Sequence, residues 1–181
     1  MSELRSYTVL TAASLAAVLA VLLLGAQFSP LVQKTSSHPS DAALEEVFGR
    51  NEEKFNSLIH MSRADAKVVR IAPTFTWLDD NARWPRAESE LGFSVERWDE
   101  YRQLFKELGL KEGIQREPNG DVIQFIASSE GLLTAGSGKG YIYSTRELSP
   151  LYDSLNEPPP TEGKYVYKRL KEHWYLFYYS N

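Results

Sequence analysis

The sequence predicts an α+β protein, with an antiparallel sheet of about five or six strands packed against two amphipathic helices and preceded by one N-terminal transmembrane helix. Three observations predict it. Residues 7–28 carry no charged side chain, and residues 41–62 and 94–109 repeat apolar side chains at helical spacing. After Gly109 the chain is rich in β-branched and aromatic residues broken by turn signals.

The 181 residues, 43% of them hydrophobic, suffice for one ordinary domain plus an extension. A net charge of −4 and a pI near 5.5 argue against nucleic acid as a partner. The densest basic group, Lys164, Lys168, Arg169 and Lys171, is interspersed with acids and suits the solvated edge of a strand. There is no cysteine, which excludes disulfides, thiolate metal sites and cysteine nucleophiles.

Residues 7–28 match the roughly twenty needed to cross a bilayer as a helix. The run exceeds the roughly 7 to 15 apolar residues of a cleavable signal core, and residues 25–27 make a poor cleavage site. A signal anchor is therefore expected, with a cleaved signal and a secreted or periplasmic domain as the alternative. Arg5 and Glu3 precede the run and Lys34 follows it, so charge alone does not orient it. The short N-terminus favours residues 1–6 in the cytoplasm and residues 41–181 outside it. Residues 29–40, polar and holding Pro30 and Pro39, read as a linker, with His38 as a solvated linker residue.

Asp41 is placed to cap the next helix, whose apolar face is Leu44, Val47, Phe48, Phe55, Leu58 and Ile59. Gly49 weakens its middle, and His60 stands near its end, where histidines meet terminal carbonyls. Residues 66–72 form the first strand candidate, closed by Pro73, and residues 74–78 extend it. Residues 79–92 read as a long polar connection, whose Asp79 and Asp80 fit a turn or cap better than a metal or acid/base pair.

Residues 94–109 carry both helix end signals. Ser94 is a good N-cap, Phe93 and Trp98 occupy staple positions, and Gly109 suits a left-handed C′. Residues 113–117 and 121–128 flank Pro118-Asn119-Gly120, a hairpin signal, and residues 122–127 are apolar on nearly both faces, as in a central strand. One strand is expected before Gly136 and another over residues 140–144. A helical turn follows at 151–155, then a proline spacer at 158–160 and one or two final strands with a turn near Lys171 and Glu172.

Candidate chemistry centres on residues 136–141. A phosphate loop fails because Leu133 and Gly140 stand where glycine and Ser or Thr are needed, and a dinucleotide fingerprint fails at Tyr141. What remains is a glycine-rich connection with Ser137, Lys139 and Tyr141 as anion- or ligand-binding candidates, His173 joining them if the last strand pairs with residues 140–144. No frame for a serine nucleophile is present and no metal or cofactor is implied. The surplus of C-terminal aromatics makes Tyr143, Trp174 and Tyr175 candidates for an aromatic binding surface. These features favour a single-pass envelope protein of bacterial type, a non-catalytic binding or structural module with a possible envelope protein partner. The alternative is a small hydrolase or anion-binding enzyme built on residues 136–141.

Overall fold

The computed structural model describes residues 38–78, 81–83, 87, 90–132, 135–158 and 163–180. In chain order these form α1 (Asp41–Ala64), β1 (Val68–Ile71), β2 (Thr76–Leu78), β3 (Asn81–Arg83), α2 (Val95–Leu108), β4 (Gly113–Arg116), β5 (Val122–Leu132), β6 (Ala135–Ser144), β7 (Tyr165–Lys171) and β8 (Trp174–Ser180). The strands make one antiparallel sheet in the order β3-β2-β1-β4-β5-β6-β8-β7. No helix among the described residues is long and apolar enough to cross a membrane, and the run at 7–28 lies outside them.

Each helix follows from local signals. The N-cap of α1 is Ser40, whose hydroxyl accepts from the Ala43 amide at 3.2 Å; Asp41, expected as the cap, is instead the first helical residue. Leu44, Phe48, Phe55, Leu58 and Ile59 are buried as their spacing predicts. Two residues after Gly49 the helix kinks at Asn51 (φ −131°), whose side-chain amide donates to Val47 O. In α2 the Ser94 hydroxyl accepts from Arg97 N, and Gly109 (φ +68°) closes a Schellman turn, with Leu110 N on Phe105 O and Gly109 N on Lys106 O. Tyr101, Phe105 and Leu108 are buried. Trp98 lies at the flank, its indole N–H on Ala72 O and the Arg102 guanidinium 3.8 Å from its ring centroid.

The sheet has eight strands where five or six were expected, because residues 76–78 and 81–83 pair as separate short strands. The hairpin at 118–120 is present, with Gly120 at φ +76° and Arg116 opposite Ile123, and β5 is central. The glycine-rich segment corrects expectation: it is the body of β6, hydrogen-bonded on both sides, and no strand boundary falls at Gly136. Glycine is needed there for close approach. A Cβ at Gly140 would stand 2.1 Å from Phe125 O, and one at Gly138 would stand 2.4 Å from the Tyr179 ring. Both lie near the bulge at Ala127. Residues 151–155 form no helical turn; Leu151 bridges in parallel to Tyr167 along the β7 edge.

Both helices pack on one face of the sheet, where Ile123, Phe125, Tyr141, Trp174 and Leu176 meet Phe48, Phe55, Tyr101 and Phe105. The opposite face buries Val122, Ile126, Ile142, Tyr175 and Phe177 beneath Leu148, Tyr165, Tyr167 and Tyr179. The aromatics therefore serve two cores. Trp174 and Tyr175, read from sequence as surface residues, are buried on opposite faces, and Tyr143 is half-buried between Trp174 and Arg63.

Candidate functional site

The densest buried polar cluster lies where the chain enters the domain, at residues 38–41, against the start of β6. Strand alternation aims Lys139, Tyr141 and Tyr143 at the helix-covered face, so the lysine ammonium is carried inward. Lys139 is 1% exposed. Its Nζ lies 2.7 Å from Asp41 Oδ1 and donates to Leu155 O at 3.2 Å and Asn156 Oδ1 at 3.4 Å. The ammonium thus has one ion pair and two hydrogen bonds, although Asp41 Oδ1 itself takes no well-aimed hydrogen bond.

Asp41 is the hub. Its Oδ2 accepts from Leu155 N at 2.8 Å, the Ser154 hydroxyl at 3.1 Å and Lys168 Nζ at 3.4 Å, while its own N–H donates to Asn156 Oδ1 at 2.8 Å. Lys168 reaches on to Glu45 at 2.7 Å. Burial alone pushes the Asp41 carboxyl up. The hydrogen bonds from Lys139 and the Leu155 amide, and the charges of both lysines, outweigh it and hold the carboxyl below the usual aspartate range. The place at the first turn of α1 also suits an anion.

His38 is not a solvated linker residue. It is buried, with Nδ1 2.7 Å from Ser128 Oγ, Nε2 2.7 Å from Ser137 Oγ and its ring edge-on to Tyr178. Ser128 is opposite Lys139 and Ser137 opposite Glu130 in the β5–β6 ladder, so one side of the hairpin presents both hydroxyls to the imidazole. Burial lowers the histidine pKa, Glu130 opposes this and Lys139 adds to it.

Of the residues singled out in the sequence, Ser137 and Lys139 belong to this cluster. Tyr141 is adjacent but buried in the core, its hydroxyl donating to Leu44 O at 3.0 Å, and burial pushes its pKa up. Tyr143, Trp174 and Tyr175 are elsewhere. The last strand does pair with β6, yet His173 sits at the far end, its Nδ1 3.0 Å from Ser144 O. His60 is exposed near the end of α1, and Asp79 and Asp80 lie outside the described residues. His38, Asp41 and Ser128 went unrecognised as partners of the segment. The one sequence signal was alternation, since a lysine in register with Tyr141 and Tyr143 on an inward row calls for a buried carboxylate.

A cleft of about 320 Å³ opens beside the cluster, lined by Leu151, Tyr152, Asp153, Lys168 and Arg169, and Lys139 does not line it. Among the described residues no three His, Asp or Glu side chains converge as metal ligands. Neither a known protein family, nor a curated protein, nor a solved structure matches this chain.

Proposed function

We propose that this chain is a single-pass, membrane-anchored envelope protein whose extracytoplasmic α+β domain is a non-catalytic binding or structural module. The uncharged run at 7–28 supports the anchor. The observation that carries the non-catalytic reading is the enclosure of Lys139, ion-paired with Asp41 and hydrogen-bonded twice. A cation that serves a ligand keeps donors free for it, whereas this ammonium is buried against Asp41, Leu155 O and Asn156 Oδ1. The cluster then acts as a clamp, fastening the chain to the sheet within a few residues of the polar linker. A C-terminal alkaline phosphatase fusion is expected to be active and to sediment with membranes. Inactive or freely released fusion protein sinks the anchored topology.

One observation favours a hydrolase as second reading. Ser137 Oγ, half-buried, is 2.7 Å from His38 Nε2, whose other nitrogen is held by Ser128. In that geometry Ser137 Oγ would add to an acyl carbonyl while its proton passes to Nε2, and the imidazolium would return that proton to the departing alcohol or amine as the acyl–Ser137 ester forms, with Ser128 fixing the tautomer. A fluorophosphonate probe separates the two. Absence of Ser137-dependent labelling is expected, and labelling lost in Ser137→Ala would replace the first reading by the second.

A further inference from the structure

The face of the sheet remote from the helices holds a second polar group that the clamp does not use. Arg70 of β1 is only 6% exposed, and its Nη1 has no hydrogen-bond partner. Among the described residues its acid neighbour is Glu112, with Oε2 4.0 Å from Nη2, too far for a hydrogen bond. The Phe75 ring stands 5.8 Å from the guanidinium carbon, and the Tyr165 and Tyr179 hydroxyls lie within electrostatic reach. A buried guanidinium with an empty N–H is costly, because the orphaned donor has given up water and gained nothing in return.

The register shows what surrounds it. Arg70 is opposite Gln115 on β4, and Gln115 is opposite Gln124 on β5, so three polar side chains occupy adjacent places in one row of the sheet. On its other side Arg70 is paired with Trp77 of β2, whose ring meets Phe75 at 5.6 Å. From the opposite edge Tyr165 of β7 reaches over β8 and β6, bringing its hydroxyl to 3.5 Å from Gln124 Oε1. Tyr165 and Tyr179 pack together at 5.2 Å and are half-buried, as are Gln115, Gln124 and Trp77. The result is a row of amides ending in a guanidinium, walled by Phe75 and Trp77 at one end and by tyrosines at the other.

We propose that this face binds a small carboxylate carried on a flat aromatic body, with Arg70 as the anion receptor, Gln115 and Gln124 as its polar flank and the surrounding rings as its apolar wall. A planar guanidinium matches a carboxylate in shape and charge, and Nη1 supplies the unused donor. Flat rings favour a flat body between them. The site is on the other face from the clamp and stands whether or not the chain is membrane-anchored.

The test is titration of the full chain, in nanodiscs if it sediments with membranes and in buffer if it does not, with benzoate, its neutral counterpart benzamide and inorganic phosphate. Saturable benzoate binding is expected, with benzamide and phosphate each about tenfold weaker or more, the loss that one charge-assisted hydrogen bond predicts. Arg70→Met should abolish benzoate binding without lowering the unfolding midpoint, since it removes a buried donor that has no hydrogen bond and only a long contact to Glu112. Arg70→Lys, which keeps the charge but not the fork, should weaken it about tenfold. No saturable benzoate binding, equal binding of phosphate or benzamide, or unchanged benzoate affinity in Arg70→Lys would overturn the proposal.

Discussion

Asp41 and His38, three residues apart, hold opposite charge preferences in one buried place. The carboxylate is kept ionised by two ammonium groups and an amide, and the imidazole is kept neutral by burial. The histidine sets a pH dependence. Its unfolded form takes up a proton near pH 6.5. Its folded form resists until lower pH, so between these values the unfolded chain holds more protons and stability falls with pH. The contribution is complete above about pH 6.5 and lost as pH drops through the folded value, while Asp41, held below the usual aspartate range, keeps its charge. Urea unfolding at about pH 7.5 and 5.5 should show a drop in wild type that His38→Gln largely removes; parallel drops in both would show that another group is responsible. Little of this was legible residue by residue. Asp41 and Ser40 read equally as caps, and His38 sits among prolines and serines whose pattern says linker. Its partners are 90 and 99 residues away, where no local pattern reaches.

Elements whose signals are local were legible, and those set by distant pairing were not. The α2 helix shows its cap, its apolar stripe and its closing glycine within one window of sequence, and the hairpin at 118–120 announces its turn in three residues. The glycine-rich stretch misled because glycine is read as loop. Here it is a strand whose neighbours approach too closely for side chains, a property of β5 and β8 and not of residues 136–140 themselves. The distinction is measurable. Gly140→Ala should cost about 3 kcal/mol or more, because the added carbon meets backbone at Phe125 and Ala127. Gly49→Ala, with open space around it on the solvent side of α1, should gain up to about 1 kcal/mol. Similar unfolding midpoints for the two variants would mean that β6 is not packed as described.

At the scale of the whole domain, one sheet carries two unlike faces. The helix-covered face holds the larger core and the clamp, and the other holds a tyrosine-rich layer with Arg70, whose Nη1 has no hydrogen bond. Binary pattern revealed that strands and helices would pack together, whereas the aromatic surplus, read as a binding surface, instead fills a second core on the other side of the sheet. It did not reveal which aromatic faces which side, because that depends on the register of β6 with β8. The central claim is that the Lys139–Asp41 pair is a structural clamp, and a double-mutant cycle on the full chain tests it most directly. Equilibrium unfolding should show Asp41→Asn losing about 3 to 5 kcal/mol, since it leaves the Lys139 ammonium buried alone, Lys139→Met losing less because Lys168 still faces Asp41, and the double variant losing clearly less than their sum. Negligible single losses, or losses that simply add, would contradict it.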